Sequence, residues 1–253
     1  MKHQYVGDIG DYGKYALLQY LADDGIQVGV NWYLTENDNT TDGSLRDYLS
    51  DDRSDGEKRY NPALFEKLKP IGEKEKSNRS IHDVEKSGII PNAVFFNEEI
   101  NRNARSEWHK KSMDKLRKAD LIFADPDNGI LIPAKENNRA KSEKYAFISE
   151  LHKYYDRNQD VVYYCHKGRR KNDVWKSTLE AFNNDNERGA KIFVLTFHRG
   201  TQRSYVFAIH PDNEEKYARL IKAFLDTDWG KKRVDNKSIP FTFEYTNSKY
   251  INL

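Results

Sequence analysis

Leu121-Ile-Phe-Ala-Asp-Pro-Asp-Asn-Gly-Ile130 opens with four apolar residues and stops on two carboxylates around a proline, with an amide and a glycine behind them. A short apolar run of this kind reads as a strand buried on both faces, the type that parallel sheets contain. Ending in Asp-Pro-Asp-Asn-Gly, it delivers polar groups to the carboxyl edge of the sheet, where open α/β folds place their ligands. The same residues also serve as plain turn chemistry, since Asp-Pro and Asn-Gly both punctuate chains.

Strand and helix patterns alternate on either side. Residues 11–24 carry an apolar stripe at helical spacing closed by Gly25, and Val28 to Leu34 is an apolar, aromatic-rich strand followed by a polar loop, residues 36–43. Residues 62–68 and 80–86 read as short helices with Asn61 and Ser80 as N-caps, and the charged stretch 50–60 as an exposed loop. Strands at 93–96 and 160–164 alternate with helices at 107–118, 145–155 and 174–182, which predicts a parallel sheet with crossover helices. Residues 191–197 and 204–209 are joined too tightly for a parallel crossover, so they form an antiparallel hairpin. A helix at 214–225 and an edge strand at 241–245 follow. The expectation is one Rossmann-like α/β domain over 1–253, mostly parallel, with a hairpin near the C-terminus and a helical insertion at about 44–90.

The formal net charge of the 253 residues is +2, too small to imply a nucleic-acid partner by itself. No run of ~18 apolar residues and no signal-like start is present, so neither a membrane partner nor export is expected, and the location expected is cytoplasmic. The single cysteine, Cys165, lies in an apolar run and reads as an inert core thiol. Residues 108–118 place basic side chains at helical spacing, a solvated helix face. Lys167 to Lys171 and Arg199 to Arg203 stand next to strand ends, which makes Arg169, Arg199 and Arg203 candidates for phosphate contacts. Residues 135–144 are polar enough for either a flap or a plain surface loop beside Asp125.

Near the N-terminus, Gly7-Asp-Ile-Gly-Asp-Tyr-Gly-Lys-Tyr15 places glycines at every third position, aspartates three apart and one lysine. The glycines let backbone approach a ligand, and a helix start favours anions. With Asp11 as N-cap, Lys14 falls in the first turn, where a cation opposes the helix dipole, so it is kept for a carboxylate or a phosphate.

This segment resembles the Gly-Asn-x-Ala-Asp-x-x-Lys-His opening of bacterial large-subunit ribosomal RNA adenine methyltransferases of the RlmJ type, in which an Asp-Pro-Pro-Tyr motif follows a later strand. It resembles more closely a set of uncharacterised bacterial and phage proteins with a Gly-Asp-x-Gly-Asp-x-Gly-Lys start and an Asp-Pro-Asp-Asn-Gly centre. The resemblance implies a class I methyltransferase-like fold and S-adenosylmethionine as cofactor. Gly7, Asp11 and Lys14 match the opening motif, with Lys14 placed for cofactor contact, and Asp125 and Pro126 match the first half of the later one. Asp127 and Asn128 stand where that family has Pro and Tyr, which removes the ring that stacks a flipped base. In such enzymes the aspartate and a backbone carbonyl accept hydrogen bonds from the target amine.

On this reading Asp125, Asp127 and His166 are catalytic, and Glu36 and Asp38, with Asp42, hold ribose hydroxyls or the methionyl amine. A second chemistry needs only carboxylates: Asp8, Asp11, Asp125 and Asp127, with Glu98, would hold Mg²⁺ or Mn²⁺ for phosphodiester hydrolysis, with His166 or His198 as base. A third reading is a non-catalytic methyltransferase-like protein that binds nucleic acid.

Overall fold

A computed structural model describes residues 1–50, 54–132, 140–168, 170–184, 188–232 and 238–251. Its centre is a seven-stranded sheet of β1 (Val28–Asn31), β2 (Val94–Phe96), β3 (Leu121–Ala124), β6 (Asp160–Cys165), β7 (Lys191–Phe197), β8 (Arg203–Ile209) and β9 (Phe241–Thr246). The order is β2-β1-β3-β6-β8-β7-β9. The first four strands pair in parallel, and β8 pairs antiparallel to both β6 and β7, as does β9 to β7. Five of the seven strands therefore run in one direction, and the expected hairpin is β7–β8. A second, two-stranded sheet of β4 (Ile130–Leu131) and β5 (Ala146–Phe147) flanks the turn after β3.

Alternation along the strands sends side chains to two separate cores. Leu121 and Phe123 of β3 join a cluster with Val28, Val30 and Phe207, covered by α1 (Ile9–Asp23), α3 (Pro62–Gly72), α4 (Ile81–Lys86) and a late helix, α8 (Glu214–Asp226). Ile122 and Ala124 face the opposite cluster, covered by α5 (Arg105–Lys115), α6 (Ile148–Tyr155) and α7 (Asn172–Glu180). A sheet buried on both faces explains why its parallel strands read as continuous apolar runs.

Asn61 and Ser80 cap α3 and α4 as expected, accepting hydrogen bonds from Leu64 N and His82 N. Three expectations are corrected. Asp8, not Asp11, caps α1: its carboxylate accepts from Gly10 N at 2.9 Å, while Asp11 turns back to accept from Gly7 N at 3.1 Å. The charged stretch 50–60 contains α2 (Ser54–Lys58), because Glu57 finds Arg199 at 3.1 Å and the Glu57 carbonyl accepts from Tyr12 Oη. The first strand stops at Asn31, because Tyr33 adopts φ 46°, a left-handed conformation that ends strand pairing. Of the stretch 135–144, residues 135–139 lie outside the described residues, and Ser142–Lys144 form a 3-10 turn.

The glycines of the first motif face protein. Gly7 has φ 84°, and a side chain on it would collide with the backbone of Gly72 in α3. A Cβ at Gly10 would strike the Arg203 guanidinium, and one at Gly13 would come within 2.7 Å of the Phe197 ring. The three-residue spacing thus lets α1 settle against α3 and the hairpin.

His109 of α5 is packed against Tyr154, with ring centroids 5.0 Å apart, and is 2% exposed. Burial, reinforced by Lys153, Arg105 and Arg157 and opposed by Glu150, lowers its pKa from 6.5 to about 4. The unfolded chain therefore takes up the proton first as pH falls, so this stability is present above pH 6.5 and is lost as pH falls toward 4. At ~1.4 kcal/mol per pH unit this amounts to about 3 kcal/mol. His109→Gln should reduce the acid sensitivity of Tm across that window relative to the parent. Identical Tm-versus-pH slopes in the two proteins would contradict the assignment.

Candidate active site

A cleft of about 420 Å³ opens at the carboxyl edge of the parallel strands. Asp8, Gly10, Asp11 and Lys14 reach it from the start of α1, and Asp125, Pro126, Asp127 and Asn128 from the turn after β3. Tyr164 and His166 enter from the end of β6, and Arg203 and Tyr205 from β8. Met1, Tyr5, Asp42, Leu45 and Lys144 also line it. Two motifs more than a hundred residues apart thus meet because α1 crosses the edge where β3 ends.

The meeting point is one ammonium between two carboxylates. Lys14 Nζ lies 2.7 Å from Asp11 Oδ1 and 2.7 Å from Asp125 Oδ2. The Tyr15 and Trp32 rings stand 5.0 and 5.4 Å from it, within cation–π range. Burial disfavours the ammonium, but Asp11 and Asp125 overcome it and hold the Lys14 pKa above its ordinary value. Burial pushes the Asp11 carboxyl up, against the pull of Lys14. The two directions compete, and the geometry favours the ionised pair, because Gly7 N–H and Tyr15 Oη also donate to Asp11. Because α1 begins at Ile9, Lys14 is its sixth residue and lies beyond the first turn, which corrects the expectation of a cation held against the helix dipole; its place is set by the two carboxylates.

Asp127 makes a second group. Its Oδ1 lies 2.7 Å from the Met1 α-amino nitrogen, which also donates to the carbonyls of Asp125 at 2.9 Å and Tyr33 at 3.2 Å. Thr35 Oγ1 donates to Asp127 Oδ2 at 3.3 Å. A third group joins Arg203 Nη2 to Asp8 Oδ1 at 2.6 Å, in the space that Gly10 leaves open. His166 Nδ1 is 3.0 Å from the Gln202 carbonyl.

Other expected residues lie elsewhere. Glu36 is exposed and away from the cleft, and Asp38 is bonded to Lys2, Gln4 and Thr40. Gly7 shapes α1 without lining the cleft. Arg199 is 8% exposed and spans Glu57, Tyr60 and Ser238, a structural clamp in place of a phosphate contact. His198 bonds Thr242 at 2.7 Å, and Glu98 bonds Lys111 at 3.0 Å. Arg169 lies outside the described residues. Cys165 is buried, and burial pushes its thiol up to about 11, as an inert core cysteine requires.

Among the described residues no three His, Cys, Asp or Glu side chains are grouped to hold a metal ion. Asp8, Asp11, Asp125 and Asp127 each face a cation of this chain. Tyr5, Tyr164, Tyr205 and Lys144 were not singled out from sequence: Tyr164 stands inside an apolar run, and Lys144 inside a polar one. No helix among the described residues is long and apolar enough to cross a membrane. Among known proteins, no family model and no curated sequence matches this chain.

At 6% exposure and bonded to Lys14, Asp125 is part of a buried charge cluster. Lys14→Ala leaves two buried carboxylates facing each other and should cost about 3–5 kcal/mol. Asp125→Asn leaves Lys14 paired with Asp11 and should cost markedly less. Chemical denaturation of both variants checks the order, and equal losses would contradict the three-charge arrangement.

Proposed function

We propose that the protein is an enzyme acting on a nucleotide or nucleic acid, and that it transfers a methyl group from S-adenosylmethionine to an amine. One observation carries this reading: three oxygens, Asp125 O, Tyr33 O and Asp127 Oδ1, converge on a single amino nitrogen at 2.7–3.2 Å, at the carboxyl edge of a mostly parallel sheet. Three acceptors match the three N–H groups of an ammonium, which has no lone pair; once Asp127 has taken one proton, the two carbonyls hold the two remaining N–H groups of the neutral amine and leave its lone pair directed to the open side. The resemblance of Asp125-Pro126 to amino-methyltransferase motifs points to the same use. A Rossmann-like, methyltransferase-like arrangement is part of the proposal, supported by β8 lying between β6 and β7.

In this reading the substrate amine takes the place of the Met1 nitrogen. Asp127 Oδ1 is then the nearest carboxylate oxygen to receive its proton. The aromatic contact missing from the motif, where Asn128 replaces a ring, comes from Tyr164 or Tyr5 in the cleft wall. Arg203, Lys144 and His166 face substrate phosphate.

The donor set fits the cofactor. Its methionyl end carries one ammonium and one carboxylate, and the cleft offers aspartates together with Lys14. Asp42 is the acidic residue of the loop after β1 that reaches the cleft and would take ribose hydroxyls, in place of Glu36 and Asp38. When bound, the cofactor supplies an electrophilic methyl group.

S-adenosylmethionine at ~100 times its dissociation constant should stabilise the fold by about 2.7 kcal/mol, read as a rise in Tm. Asp127→Asn should keep most of that rise and lose methyl transfer to nucleic acid from the labelled cofactor. A rise with Mg²⁺ or Mn²⁺ in place of S-adenosylmethionine would move the assignment to phosphodiester hydrolysis. No rise with any of them would overturn both and leave a binding protein.

A further inference from the structure

A second pocket, of about 550 Å³, lies between the first turns of α5 and α6 and shares no lining residue with the cleft. Arg102, Arg105, Ser106 and His109 line one side, and Ser149, Glu150 and Lys153 the other. Its charges are three cations against one carboxylate, and that carboxylate is already spent. Arg105 donates to Glu150 from Nε at 2.6 Å and from Nη2 at 2.9 Å, while its guanidinium lies 3.6 Å over the Phe147 ring. Arg102 meets Glu143 only at 3.5 Å and is half exposed, and such a pair contributes little.

His109 is the independent sign of a missing partner. It lines the pocket, is 2% exposed, and its Nε2 has no hydrogen-bond partner among the described residues. A buried polar atom left in that state costs stability unless something completes it. The starts of α5, eleven residues long, and α6, eight residues long, direct the positive ends of their dipoles toward the same space.

We propose that this pocket is a binding site for a phosphate-type anion, held by Arg102 and Lys153 with the Ser106 and Ser149 hydroxyls, over the rigid floor that Arg105 and Glu150 form, with one of its oxygens completing His109 Nε2–H. Guanidinium, ammonium and hydroxyl donors around two helix starts suit the several oxygens of a phosphate group. A bare metal cation is disfavoured by the same charges. The site does not depend on the reaction proposed for the cleft.

The test titrates the whole protein with inorganic phosphate at constant ionic strength, following heat and the imidazole C–H resonance of His109, assigned with His109→Gln. Saturable binding that moves the His109 resonance is expected. Arg102→Ala/Lys153→Ala, both exposed positions, should raise Kd at least tenfold while leaving the phosphate-free Tm unchanged. Loss of the binding in Arg203→Ala, with the double variant unaffected, would place the anion in the cleft and overturn the proposal. Absence of saturable binding, or an unmoved His109 resonance, would also overturn it. No arm uses S-adenosylmethionine or a methyl acceptor, so failure of the methyltransferase reading leaves this result intact.

Discussion

The ion cluster Asp11–Lys14–Asp125 is what the cleft depends on. Three charges under a tenth exposed are tolerated only because each is within 2.7 Å of its complement. That requirement fixes the rotation of α1 about its axis and its height above the end of β3. Once α1 is set, Gly10 must lie under Arg203 and Gly13 against Phe197, so the hairpin is fixed by the same contact. Burial of apolar surface builds the two cores, yet that force is non-directional. The cluster supplies the direction.

Tyr33 carries that order across the sheet. Its φ of 46° is costly for a bulky residue, on the order of 1 kcal/mol or more, and persists only where surroundings over-determine it. Asn31 Oδ1 accepts from Tyr33 N at 3.1 Å, and Tyr33 Oη donates to Glu150 at 3.2 Å. Its carbonyl meanwhile faces the Met1 nitrogen. One strained residue thus touches both the oxygen cradle of the cleft and the Arg105–Glu150 floor of the second pocket. The two pockets are separate in lining and joined by hydrogen bonds.

Much of the architecture was legible because it rests on periodicity. Buried parallel strands such as Leu121–Ala124 advertise themselves as apolar runs, and the short connection before Arg203 allows only a hairpin. The meeting of Gly7–Tyr15 with Asp125 was legible too, because both lie at predicted element ends. What failed depended on side-chain direction. Arg199 and Arg203 are equivalent in sequence, but the first points to Glu57 and Ser238, and the second to Asp8. Asp11 reads as the cap of α1, but its carboxylate turns to Gly7 N–H and Lys14, and Asp8 takes the cap. The second pocket was invisible because residues 108–118 read as a solvated basic face, and nothing local marks His109 as the buried member.

The charge balance of the cleft limits what can enter it. Five carboxylates, Asp8, Asp11, Asp42, Asp125 and Asp127, face Lys14, Lys144, Arg203 and the Met1 amine, so the interior is close to neutral but strongly divided. A bare polyanion would meet repulsion at the Asp125–Asp127 end, and a bare cation would meet it at Arg203. A ligand with separated charges, or one with a phosphate at one end and an amine at the other, matches both halves without an uncompensated group. Nucleotides with exocyclic amines and the zwitterionic methionyl group both have this form. On the proposed function, a cleft whose charges are already matched to one another selects its ligand by the spacing of opposite charges.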